Sequence, residues 1–287
     1  MKKKLRAALL IIVLLMSILA QADDIYISSF NGPYNGAIYK YDSSGNKTIF
    51  ASGLMNPWGL AADKSDNIYT TKIDGHIYKY DINGNMSTYA TGILSCSSLT
   101  FDKNDNLYIT CDINGEGLVY KIDSSGKGNA FVTGLGHHPQ GLAFDNNNNL
   151  YVAVVVNGIG TIEKFDSNGN RTTFASGLTN PRGLMFDSTT SSLYAAEQNN
   201  IAIYDLIGNT SSSITVDGGW PWGMAFDSSR NLFVADHEMG NIYKIDPSGN
   251  RTIFDSGLEG PYSIVIIPEP ATLLLIGLGA VAMRKKR

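Results

Sequence analysis

The chain is short of positive charge. Its 287 residues carry 22 Lys and Arg against 26 Asp and Glu, and between residues 23 and 267 the balance is 14 to 25, a net charge of −11. Nucleic acid and anionic membrane both call for a basic surface, so neither is expected as a partner of this stretch. Cysteine is scarce as well: Cys96 and Cys111 are the only two, and no histidine lies near either in sequence. That argues against a catalytic thiol, which needs a base beside it. No Gly-rich phosphate loop and no Ser/His/Asp arrangement stands out. Linker-like segments are missing too, so the roughly 245 residues from Asp23 to Ile267 read as one domain.

What is abundant is repetition. A Gly or Ser opens an apolar run at Gly59, Ser98, Gly141, Gly183, Gly223 and Ser263, at intervals of 39, 43, 42, 40 and 40 residues. A second motif recurs as Ile38-Tyr39-Lys40, Ile77-Tyr78-Lys79, Val119-Tyr120-Lys121, Ile162-Glu163-Lys164 and Ile242-Tyr243-Lys244; the fifth unit departs, with Ile201-Ala202-Ile203-Tyr204. Each unit then turns through an aspartate followed by Gly or Gly-Asn, as in Asp81 before Gly84-Asn85. The cleanest copy, Pro221 to Leu258, holds four short alternating apolar runs between turn residues. Alternation at period two is the mark of strands with one face to each side of a sheet.

A period of about 40 residues with four strands per unit predicts an all-β, six-bladed β-propeller of four-stranded antiparallel blades. The first unit lacks its inner strand, having only Asp24–Ser29, Ala37–Asp42 and Lys47–Ser52. Tyr262–Ile267 supplies a lone strand at the other end, so the C-terminal strand is expected to join the N-terminal blade and close the ring. The pattern P-x-G-L-A-F-D, then N-L-Y-V-A, then I-Y-K-x-D-x-x-G-N resembles NHL-repeat propellers. It is also similar to the wider six-bladed group of gluconolactonase-like and virginiamycin-lyase-like proteins. That resemblance speaks for the fold; such scaffolds host binding modules and enzymes alike.

Both ends read as addresses. Residues 1–22 form a signal peptide: Lys2, Lys3, Lys4 and Arg6, an apolar stretch from Ala7 to Leu19, and Ala20-Gln21-Ala22 as a small-x-small cleavage site. A retained anchor is the alternative. Residues 268–287 begin with Pro268-Glu269-Pro270, continue through thirteen residues from Ala271 to Met283, and end Arg284-Lys285-Lys286-Arg287. Thirteen residues are short for a stable span, which takes about 20, and the basic end would stay cytoplasmic. This tripartite segment resembles the PEP-CTERM sorting signal. The resemblance implies transient inner-membrane anchoring by the C-terminal helix and processing by an exosortase-type enzyme in a Gram-negative bacterium. Delivery to the envelope, cell surface or extracellular matrix would follow. A plain tail anchor is the alternative.

Cys96 and Cys111 sit near mirror positions about a hairpin turning at Lys103-Asn104-Asp105-Asn106, and an oxidising compartment favours a disulfide between them over two buried thiols. Asp81 to Asn85 and Asp166 to Asn170 look like the front of a calcium loop but lack its acidic twelfth residue; hairpin turns account for them. His137 and His138 are adjacent in a loop, where extended chain would point them apart.

In a propeller the loops leading into the inner strands open on one face, around the channel mouth. The residue before each anchor should line it: Trp58, Ser97, Gln140, Arg182, Trp222 and Tyr262. Aromatic faces beside polar groups suit a sugar or another flat ligand, so Trp58, Gln140, Arg182, Trp222 and Tyr262 are the candidate ligand-binding set. The alternative is that they merely plug the channel. No cofactor is expected under this reading. A second ring lies where the second strands end: Ser29, Lys72, Cys111, Val154, Glu197 and Asp236. Lactonase-like relatives hold a divalent metal at the channel mouth, so the resemblance offers Glu197, Asp236 and His237 as an alternative metal site. No full metal set and no acid/base pair maps onto the chain. The expected function is therefore a secreted binding or scaffold module, with polysaccharide or an envelope protein as its partner. The alternative is a metal-dependent lactonase- or lyase-like enzyme.

Overall fold

The computed structural model describes residues 23–268 except 33, 157 and 217; residues 1–22, expected to be a signal peptide, and the sorting segment from Glu269 onward, with Pro270, lie outside the described residues. Six four-stranded antiparallel sheets form a ring, each with its strands in sequence order from the axis outward, save one. In blade one the inner strand, Pro261–Pro268, pairs with Asp23–Ser29, which is followed by Gly36–Tyr41 and Lys47–Leu54. The expected closure is therefore present, and the closing strand runs on to Pro268, opposite Asp23. Blades two to six have inner strands Leu60–Ala62, Cys96–Phe101, Leu142–Phe144, Leu184–Asp187 and Pro221–Phe226.

Among the described residues, the core divides into six apolar clusters, one at each seam between neighbouring blades. This follows from strand alternation: each sheet has two faces and each face is covered by the next blade. A blade alone would leave both faces wet. Between the third and fourth strands of a blade, the turn aspartate does the work of a cap. Asp81 Oδ1 accepts the amides of Asn83 and Asn85 at 2.9 and 2.8 Å, and the Asn85 side chain donates to Oδ2 at 2.8 Å. Gly84 provides the left-handed residue, φ 82°. The Asn side chain and the turn amides hold this carboxyl below its ordinary range. Asp166 is engaged in the same way, so these turns are satisfied by their own backbone.

Cys96 and Cys111 are directly paired across the first two strands of blade three and form a disulfide, with Cα atoms 4.1 Å apart. His137 and His138 do not point apart as expected. His138 takes a positive φ of 51°, and both Nδ1 atoms approach Asp112 Oδ2, at 3.9 and 3.4 Å.

Candidate functional site at the channel mouth

The anchors are mostly glycine because the inner strands crowd at the axis. A Cβ on Gly183 would run into the carbonyl oxygen of Trp222, and one on Gly141 into that of Arg182. The close approach carries a hydrogen bond, Gly141 N to Arg182 O at 2.6 Å. In blades one to three, second-strand hydroxyls fix the neighbouring mouth residue instead: Ser28, Thr71 and Thr110 donate to the carbonyls of Trp58, Ser97 and Gln140 at 3.1, 3.3 and 2.8 Å. Blades one to four thus hold the backbone of the next mouth residue close to the axis by a hydrogen bond.

All six positions expected at the mouth line one cavity of about 310 Å³: Trp58, Ser97, Gln140, Arg182, Trp222 and Tyr262. The aromatic members form one assembly. Trp58 and Tyr262 stack with ring centres 5.9 Å apart and planes 25° from parallel, and Trp222 meets Tyr262 edge-on at 4.8 Å. His237 joins them, 4.4 Å from the Tyr262 ring. Burial, and after it the Arg182 charge, push the His237 imidazole below its ordinary pKa. Ser97 Oγ is taken up by Pro139 O at 2.9 Å, and the Gln140 amide by His138 O at 3.0 Å.

Arg182 is the charged member. It is 9% exposed, with its guanidinium carbon 4.1 Å from the Trp220 ring centre and 4.6 Å from that of Trp222. Burial lowers its pKa, which Tyr262 and Glu238 partly restore. Trp220 was missed from sequence. Its signal is the Trp-Pro-Trp spacing of residues 220–222, which puts a second indole on the loop ahead of the anchor.

The second ring behaves differently. Glu197 accepts the Thr179 amide at 2.9 Å and the Tyr204 hydroxyl at 3.3 Å; Asp236 accepts the amides of Trp220 and Met239 at 3.0 and 3.2 Å. Ser29 donates to Glu259 O at 2.7 Å, Lys72 pairs with Asp74 at 3.4 Å, and Cys111 is in the disulfide. Val154 packs in the apolar seam between blades three and four. These are braces for the loops. Asp236 Oδ2 and His237 Nε2 are buried without partners, but they abut the backbones of Gly219 and Gly260. Among the described residues no three His, Cys, Asp or Glu side chains converge to hold a metal, so Glu197, Asp236 and His237 do not fit a metal centre in this arrangement.

Fold and site together define a six-bladed β-propeller with an aromatic mouth around one buried arginine, on a chain that ends in a sorting motif. Residues 267–287 match the family model of the PEP-CTERM protein-sorting motif. The motif implies export, sorting to the cell envelope or surface, and processing by an exosortase-type enzyme. Among the described residues no helix is long and apolar enough to cross a membrane. No curated protein sequence matches the chain. Solved structures share the fold. A gluconolactonase from Xanthomonas campestris is 15% identical with a TM-score of 0.62, over 76% of this chain and 83% of that one. The PQQ-bound aldose sugar dehydrogenase from Streptomyces coelicolor is 14% identical with a TM-score of 0.62, over 75% and 86%. Virginiamycin B lyase from Staphylococcus aureus, catalytically inactive and with quinupristin, is 15% identical with a TM-score of 0.57, over 84% and 78%. At such identities the likeness is one of fold.

Proposed function

We propose that this protein is a binding module of the cell envelope or the extracellular polysaccharide matrix, taking its ligand at the channel mouth. The sorting motif supports a place at the cell envelope or surface. The observation that carries the binding role is the convergence of Trp58, Trp222 and Tyr262 on one cavity beside Arg182. Aromatic faces next to a few polar groups are how a concave site grips a ring-shaped ligand. The acidic body argues for recognition at this local site over diffuse charge attraction.

The test is retention of the purified protein on polysaccharide isolated from the producing cells. Trp58→Ala combined with Trp222→Ala is expected to abolish retention while leaving the thermal transition cooperative. Unchanged retention would move the binding to another face. Melting in calcium, magnesium, zinc and EDTA covers the enzymatic alternative. A metal-dependent rise of Tm that disappears in Asp236→Ala would replace this reading with a metal-dependent lactonase- or lyase-like enzyme.

A further inference from the structure

Among the described residues the other buried charges are carboxylates, each met by a cation or by backbone amides. Asp24 pairs with Lys40 at 2.6 Å, Glu163 with Arg171 at 3.1 Å, and Asp187 with Arg230 at 2.6 Å. Arg182 differs. Among the described residues its side chain forms no ion pair or hydrogen bond, although at 9% exposed it is nearly as buried as Asp24 at 8%. Glu238, a carboxylate whose field reaches it, is exposed and makes no ion pair with it. The Arg182 nitrogens still reach the channel, but two indole faces cover much of the guanidinium and no carboxylate neutralises it there. None of the six mouth residues is acidic, so the counter-charge for Arg182 would have to come from a ligand.

From this geometry we infer that the mouth recognises a carboxylate carried on a sugar ring, an acidic sugar unit, with Arg182 as the counter-ion and the Trp58, Trp222 and Tyr262 rings as its walls. The inference rests on the mouth being the binding site. Guanidinium and carboxylate match as planar, two-point partners. The cavity of about 310 Å³ is at the small end for ligand pockets, so it suits a single unit or a chain end and not the middle of a polymer. A net charge of −11 on the body repels anions at large, so anion selectivity would have to come from a local cation such as this one.

The experiment is calorimetric titration of the purified protein with D-glucuronate, D-glucose, benzoate and an oligosaccharide ending in glucuronate, repeated on Arg182→Gln. Glucuronate is expected to bind about 10- to 100-fold more tightly than glucose, the range of a charge-assisted contact, and Arg182→Gln to erase that difference while glucose binding stays. The oligosaccharide separates the two sources: tighter binding assigns a polymer end, equal binding the free acid. Glucose and glucuronate binding alike, both lost in Trp58→Ala, keeps the mouth as the site and overturns the charge inference. Benzoate binding as well as glucuronate overturns the sugar assignment. Silence from every probe overturns the acidic-sugar inference, and if retention on polysaccharide also survives the double tryptophan substitution, the mouth falls with it. Should Arg182→Gln fail to fold, Arg182→Lys keeps the charge, loses the planar fork, and is expected to weaken glucuronate selectively.

Discussion

Tyr194, on the second strand of blade five, meets Phe226 of blade six edge to face at 5.5 Å, and the outer strand of its own blade brings it no ring. Its counterparts in the other blades are Tyr26, Tyr69, Tyr108, Tyr151 and Phe233. Each takes an aromatic from its own outer strand, namely Phe50, Tyr89, Phe131, Phe174 and Phe254, at 4.9 to 5.2 Å. Each also has the lysine of the recurring triplet over its ring, at 5.1 to 5.6 Å. Blade five has Ser213 and Ile203 at those places. Its bulge has moved as well, falling between Ile203 and Tyr204 where blade six has it between Ile242 and Tyr243. Tyr194 is consequently half-buried, whereas the other five are at most 3% exposed. A cavity of about 620 Å³ opens at this seam, lined by Tyr194, Ser213 and Phe226 among others.

Ser213→Phe is therefore expected to stabilise the protein by about 1–2 kcal/mol, because it buries a ring and restores an edge-to-face contact. In a domain of this size that is a rise in Tm of roughly 2–8 °C, measurable by calorimetry. A fall would mean that the displaced bulge turns residue 213 away from the seam. The channel mouth is built from other strands, so ligand binding there should not change.

Ring closure makes a second prediction. The strand Pro261–Pro268 supplies the inner edge of blade one and packs against blade six and blade two. Ending the chain at Gly260 would leave Tyr26 and Ile27 without cover and two seams open. Loss of a cooperative thermal transition is expected, and the same truncation removes Tyr262 from the mouth. A truncated chain that still melts sharply near the original Tm would show that closure adds little.

The period, the blade count and the closing strand were legible because a repeat fold writes its geometry at fixed intervals, and the six mouth positions followed from counting one residue before each anchor. Three things were not legible. Glu197 and Asp236 were rightly placed at strand ends, but their partners are backbone amides of Thr179, Trp220 and Met239, and sequence carries no sign of which amides need an acceptor. Trp220 lies outside the repeat's register, so the count passed over it. The break of the fifth unit at Ile201-Ala202-Ile203-Tyr204 was visible, yet its consequence depends on the bulge, and a bulge is a property of pairing.

The disulfide offers a third prediction. Cys96 and Cys111 are separated by 15 residues and close a short loop. In the chain-entropy account a loop of that length is worth at most about 3 kcal/mol. Cys96→Ala with Cys111→Ala should lower Tm by several degrees while leaving a folded propeller, since the pairing of the two strands and the rest of the apolar cluster remain. Thiol titration of the denatured native protein should find no free thiol. Two free thiols in protein taken from the envelope would overturn the assignment.

The seam without its aromatic is also clamped by charge, and this gives a pH prediction. Arg230 stands at the left-handed position of the first turn of blade six, φ 66°, and reaches back to Asp187 at the corresponding turn of blade five with contacts of 2.6 and 2.8 Å. Burial alone would raise the Asp187 carboxyl, but hydrogen bonds from Arg230, Thr190 and Thr189 bring it down to about 2. Because the folded pKa lies below the unfolded one, the stabilisation is complete above about pH 4 and is lost as the pH falls towards 2. Arg230→Asn removes the clamp and suits the backbone, since Asn148 occupies the same turn position in blade four at φ 66°. Half of the pair is open to solvent, Arg230 being 37% exposed, so the expected loss at pH 7 is about 1–2 kcal/mol and not the larger penalty of a fully buried pair. Denaturant melts of both proteins from pH 7 to pH 2 check it: the gap between them should hold from pH 7 to about 4 and close below. A gap that persists unchanged to pH 2 would mean that Arg230 acts through its packing on Phe226, 4.1 Å away, and not through Asp187.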